Sequence, residues 1–178
     1  MSNDDLIPPA APDTSDPLGM LRACHDRILR NAETLERIGE RVASEGVDAE
    51  VRKAAANVHR YFAKAGKHHH EDEEVDLFPV LARQSLKLAD LIHELRQDHE
   101  RLDALWEAIA PELEKPSSIS DAAGFKARAE AMAAAYREHV TRENEELLEL
   151  ARHILGPDDL KRIGNAMAER RGLPTRYF

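Results

Sequence analysis

The chain has 178 residues, enough for one domain with a sizeable core; 33% of them are charged and the formal net charge is -9. That acidity argues against a nucleic-acid backbone or an anionic membrane as a partner. No apolar run approaches the roughly 18 residues a spanning helix needs, and no charged segment followed by an apolar one opens the chain as a signal peptide would. The single cysteine, Cys24, excludes an internal disulfide framework, and the expected location is cytoplasmic.

Residues 1–17, MSNDDLIPPAAPDTSDP, are proline-rich and acidic with almost no apolar spacing, and read as a flexible arm. After them helix formers dominate and apolar residues recur at steps of three and four. A first helix presents Leu18, Leu21, His25, Ile28, Ala32, Leu35 and Val42 on one stripe. Gly46 then fits a helix end and Asp48 the cap of the next helix. The second stripe is Val51, Ala55, Val58, Phe62, Ala65, His69, Glu73 and Val80. Ser85 is placed to cap a third helix, whose stripe is Leu88, Leu91, Leu95, His99, Leu102, Trp106, Ile109 and Leu113. After PSSISD a fourth carries Phe125, Ala129, Met132, Tyr136, His139, Glu143, Leu147, Leu150 and Ile154, and Gly156-Pro157 stops it. Pro79 and Pro111 are expected to bend or end their helices, since each lacks a backbone donor. The fold class is therefore all-α: an antiparallel up-down-up-down four-helix bundle over residues 18–156, with a short helix and tail in residues 157–178.

Each stripe is apolar except at one level, where it carries His25, His69 with Glu73, His99, or His139 with Glu143. The same residues define an internal repeat. LRACHDRI (residues 21–28) matches LRQDHERL (95–102), and HHEDEEVDLF (69–78) matches HVTRENEELL (139–148). Two copies of one helical hairpin thus each supply a lone histidine and an H-x3-E pair. Residues four apart lie on one face of a helix, about 6 Å apart along its axis, so both side chains of a pair reach one ion. Packed antiparallel about a pseudo-twofold axis, all six side chains meet at one level. If each glutamate bridges, each of two metals has two histidines and two carboxylate oxygens, leaving room for an oxo or hydroxo bridge and an open position. Without metal, two buried carboxylates cost several kcal/mol each.

This constellation resembles the hemerythrin-like (HHE cation-binding) domain family over residues 18–156, through the lone His25 and His99, H69HEDEEVDLFP and H139VTRE143. The resemblance implies a four-helix bundle holding a non-haem di-iron centre on those six residues. The oxygen carriers of the family have a second histidine four residues after the third-helix ligand, where this chain has Asp103, and an H-x4-D pair where it has His139 and Glu143. The symmetric set is more similar to bacterial members associated with iron–sulfur centre repair and with nitric oxide or oxygen stress.

The resemblance makes iron the expected metal, ahead of manganese or zinc. The absence of H-E-x-x-H argues against zinc hydrolysis, and ferritin-like ferroxidases use more carboxylates and E-x-x-H pairs, which argues against iron mineralisation. The expected function is binding or sensing of oxygen or nitric oxide, or iron handling under stress, with a redox partner. Turnover of peroxide or nitric oxide, an iron-centre repair role, or a metal-free interaction bundle are the alternatives. His70 with Glu74 repeats the H-x3-E spacing one step off the stripe, and His68 and His70 are expected to be solvated or supporting. Asp103 is expected to support the site or lie at the surface, Tyr136 and Cys24 to pack, and His59, His93 and His153 to flank.

Overall fold

A computed structural model describes residues 15–175, and within them the only regular secondary structure is helical. Helix α1 spans Pro17–Glu45. Helix α2 runs continuously over residues 49–81, with α-helical Ala49–Tyr61, Lys67–Glu71 and Phe78–Leu81 joined by π-helical turns at Phe62–Gly66 and Asp72–Leu77. Helix α3 is Leu86–Glu114. Helix α4 covers residues 122–154, as Ala122–Arg142, a π turn at Glu143–Leu147, and Leu148–Ile154; α5 is Pro157–Arg170. Residues 1–14 of the expected arm lie outside the described residues, while Asp16 caps α1 and Pro17 opens it.

The starts are set locally. The side chains of Asp16, Asp48, Ser85 and Asp121 accept from the backbone N–H three residues on, a cap whose loss typically costs about 1 kcal/mol. Gly46 ends α1 at φ 84°, a conformation disfavoured with a Cβ present. The prolines do not end their helices on the spot. At Pro111 the Lys115 N–H still bonds the proline carbonyl, so α3 continues to Glu114. Pro79 follows a π turn whose Phe78 N–H already reaches back five residues to Glu73, so the ladder is displaced where the proline would have broken it.

Helix α1 packs on α2 and α4, and α3 on the same two. At Gly39 an added Cβ would lie 3.1 Å from the Ala129 Cβ and 3.2 Å from the Lys126 Cα, so α1 and α4 approach closely there. The core is two apolar clusters. One holds Ile28, Leu35, Phe62, Leu102, Ile109, Phe125 and Tyr136; the other holds Leu21, Leu77, Phe78, Leu95, Leu147 and Leu148, and is extended by Ile163 and Met167 of α5. Every long helix passes from one cluster to the other through its histidine level.

The expected stripes need one correction. At Gly66, and beyond the π turns at Asp72–Leu77 and Glu143–Leu147, the buried positions sit one residue later than the α-helical period predicts, while His69 and Glu73 keep theirs. Gly66 replaces Ala65, Leu81 replaces Val80, and Ala151 and Leu155 replace Leu150 and Ile154; Leu150 is 38% exposed. At those two turns the extra residue that a π turn accommodates rotates all that follows.

Candidate metal centre

His25 projects from α1, His69 and Glu73 from α2, His99 from α3, and His139 and Glu143 from α4, and none is more than 2% exposed. The carboxylates occupy the middle. Glu143 approaches His25 Nε2 with one oxygen and His139 Nε2 with the other, each at 3.1 Å. Glu73 lies 3.6 Å from His25 Nε2, 3.5 Å from His69 Nε2 and 3.4 Å from His99 Nε2. Two overlapping sets result, His25–His69–Glu73–Glu143 and Glu73–His99–His139–Glu143, and within each set the potential ligand atoms lie within 4.8 Å of one another. Both glutamates belong to both sets.

The local backbone explains how two helices deliver these pairs. Each H-x3-E motif runs into a π turn, and the carbonyls of Glu73 and Glu143 accept from the N–H groups of Phe78 and Leu148, five residues on. The turns widen the helix where the carboxylates enter the core, a feature frequent at functional sites.

Apart from a 3.1 Å hydrogen bond between His99 Nε2 and His139 Nε2, the polar atoms of the layer face one another without being hydrogen-bonded. Among the described residues, the buried side-chain nitrogens and oxygens lacking a hydrogen-bond partner all belong to His25, His69, His70, Glu73, His139 and Glu143, except Arg41 Nε. Both oxygens of both glutamates are among them. The 3.1 Å approaches of Glu143 are close enough for charge attraction but misaligned as hydrogen bonds. Buried polar groups are nearly always paired, so convergent lone pairs left open in this way suit a cation. Imidazole nitrogens and carboxylate oxygens are donors that iron, manganese and zinc accept, so the residues fit the group.

The charges balance. Burial pushes both carboxyl groups up, and at Glu73 the neighbouring Glu143 adds to it, but the surrounding imidazoles override this, holding Glu73 at about 2 and Glu143 well below the carboxylate range. Burial works against a charged His25 and His99, yet Glu143 and Glu73 raise them to about 10 and about 11. Burial wins at His69, which drops to about 3. Two protonated rings thus face two carboxylates. An incoming cation must displace those protons.

Groups outside the layer orient the rings. His25 Nδ1 donates to Asn144 Oδ1 and His99 Nδ1 to Glu74 Oε1, each at 2.7 Å. His139 Nδ1 lies 3.6 Å from Asp98, which Arg142 also holds. His70 is buried rather than solvated: its ring stacks on His99 at 4.0 Å, and its Nδ1 sits 3.7 Å from the exposed Asp103. Although His70 is near His99 and His139, stacked rings hold their lone pairs in separate, nearly parallel planes, so His70 covers His99 instead of converging with it on one ion. Phe78 lies parallel to His99 as well, at 5.7 Å between centroids. Tyr136 stacks on Phe62, and Cys24 is buried. His68 pairs with Glu71, His59 packs on Trp106, and His93 and His153 are exposed.

Sequence reasoning placed Glu74 only with His70 and missed Asn144, Asp98 and Asp72. Asp72 is fully buried beside Glu73 and is gripped by Arg170 and Arg171, the latter at 2.5 Å; Arg170 also holds Asp76 at 2.7 Å. Burial nonetheless raises the Asp72 carboxyl. The only hint was an arginine pair closing a helix opposite a run of acids. A cavity of about 220 Å³, bordered by Phe62, Gly66, His70, Trp106 and Tyr136, reaches the ring that covers His99.

An uncharacterized protein of Haemophilus influenzae is 31% identical over 157 residues, which is 88% of this chain and 91% of the relative. The model of the hemerythrin HHE cation-binding domain matches residues 16–151, a span containing every histidine and glutamate of the layer, and the chain belongs to that family.

Proposed function

We propose that the chain is a non-haem di-iron protein that binds or senses oxygen or nitric oxide, or handles iron under oxidative or nitrosative stress. The observation that carries this reading is the pair of overlapping buried sets, each with two histidines and both glutamates. His25 and His69 would hold one ion, His99 and His139 the other, and Glu73 and Glu143 both. Iron bound there supplies electrons and an open position for a diatomic ligand. The protein's part is to fix the four rings, neutralise the ions with two carboxylates, exclude water with the apolar clusters, and release protons from His25 and His99 on loading. The cavity beside His70 and Tyr136 supports approach by a small neutral molecule.

The helices cross between the two apolar clusters in alternating sense, which supports the up-down-up-down course of the bundle over residues 18–156, with residues 157–178 as an appendage. No helix among the described residues is long and apolar enough to cross a membrane.

Iron per chain, measured on untagged protein purified without added metal, tests the reading: about two ions are expected for a dinuclear bundle site. The visible spectrum of the reduced protein should then change with oxygen or nitric oxide. Folded protein that refuses iron on reconstitution overturns the di-iron centre, and a loaded protein whose spectrum ignores both gases overturns the ligand-binding role. Turnover of peroxide or nitric oxide above that of free iron would instead identify an enzyme.

A further inference from the structure

The internal repeat places Glu74 and Asn144 at corresponding positions, each directly after the glutamate of its H-x3-E pair. Each reaches across to the lone histidine of the other copy: Glu74 accepts from His99 Nδ1 and Asn144 from His25 Nδ1, both at 2.7 Å. The geometry is matched; the chemistry is not. One histidine is backed by a carboxylate and its counterpart by a neutral amide. The second pair of rings differs in the same sense. Neither His139 Nδ1 nor His69 Nδ1 is hydrogen-bonded, but the Asp98 carboxylate stands 3.6 Å from the former.

We infer that the two ion positions are inequivalent: the one between His99 and His139 is the tighter and fills first, and Glu74 is the residue that sets the difference. This rests on the dinuclear reading above. A carboxylate accepting from the far nitrogen of an imidazole raises the ring's basicity and fixes its orientation, and loss of such a partner typically lowers metal affinity about 10- to 100-fold. An amide oxygen does the second job but contributes less to the first. His99 is also the more firmly held ring, lying between His70 and Phe78 at near-parallel angles of 16° and 14°. Asp98 adds less than Glu74, because its contact is longer and Arg142 shares its charge at 3.0 Å. The centre is symmetric in its ligating atoms and asymmetric in what stands behind them.

Stepwise titration of the metal-free full chain with cobalt(II), followed by calorimetry and visible absorption, tests this. Two resolved steps are expected. Glu74→Gln should weaken the tighter step about 10-fold or more and leave the other in place. Asn144→Asp should strengthen the weaker step and narrow the gap. His139→Ala should abolish the tighter step alone, and His25→Ala the weaker alone. Two indistinguishable steps, or a Glu74→Gln effect confined to the weaker step, would overturn the inference while leaving a dinuclear site intact. Failure of the folded chain to bind any cobalt would remove the dinuclear reading and the inference with it.

Discussion

The two H-x3-E hairpin copies agree in the interior of the molecule and differ on its outside. His69–Glu73 and His139–Glu143 share spacing, burial and a following π turn. The residue before the glutamate, however, is Asp72 in one copy and Arg142 in the other. Asp72 is buried and held by Arg170 and Arg171 at the end of α5, whereas Arg142 is partly exposed and reaches Asp98 and Glu94 on α3. The first copy depends on an added helix, while the second is tied within the bundle. The face turned to the histidine–glutamate layer is the same in both copies, and the opposite face takes a different anchor in each.

The largest expected effect breaks the symmetry of the interior. Glu73→Ala or Glu143→Ala removes a carboxylate shared by both sets, so either variant should lose nearly all bound iron, whereas His25→Ala should retain the ion held by His99 and His139; elemental analysis of the folded variants separates the cases. Retention of one ion by either glutamate variant would contradict a shared carboxylate.

Next in size is the outer anchor. Replacing both Arg170 and Arg171 by alanine leaves Asp72 buried and unpaired, and denaturant unfolding should show a loss of about 3–5 kcal/mol, partly recovered by adding Asp72→Asn. Arg142→Ala should cost about 1 kcal/mol or less, because its side chain is 33% exposed. Equal losses in the two copies would erase the distinction.

Acidity sharpens the comparison further. His25 and His99 titrate near 10 and 11 instead of 6.5, so their contribution is complete below pH 6.5 and is lost as pH rises towards those values. Glu73 titrates near 2 instead of 4.5, so its contribution is present above 4.5 and is lost as pH falls towards 2. His69, held at about 3, resists protonation and adds to the acid loss below 6.5. Metal-free protein should therefore lose stability steadily on the alkaline side, and metal-loaded protein should not, because ions replace the protons. Denaturant midpoints across pH, with and without metal, measure this; matching alkaline limbs would contradict it.

The smallest effect, at Leu150, comes from the displaced stripe. Leu148→Ala should cost about 2–5 kcal/mol, while Leu150→Gln should stay within about 0.5 kcal/mol of the parent. A helix without the π turn would bury Leu150 and make both changes costly.

That displacement marks where the sequence stopped being legible. The six histidines and glutamates of the layer could be picked out because they interrupt an apolar stripe and recur in both copies. The capping residues could be read because a cap acts within three residues. The π turns could not, because Leu147 and Leu148 are both apolar and either phase looks acceptable until a neighbouring helix selects one. Glu74 and Asn144 were hidden for a related reason: each points sideways to a ring on another helix, and no period within its own helix reveals that. In EDEE nothing local distinguishes the buried Asp72 from the half-buried Glu71 and Glu74. Its partners lie about a hundred residues away, in a helix whose docking the sequence left open.

The split core has a mechanical consequence. No described residue belongs to both apolar clusters, so the two ends of the bundle touch mainly through the polar layer and the His70–His99 stack that links Tyr136 to Phe78. Such a molecule behaves as two weakly joined blocks, each able to open alone. On the proposed dinuclear reading, ions held by all four long helices at that layer would act as rivets, converting the blocks into one cooperative unit. Amide exchange around Leu35 at one end and Leu95 at the other should follow separate opening events in the empty protein and a common one in the loaded protein, so that occupancy of the centre is felt as stiffness along the whole length of the bundle.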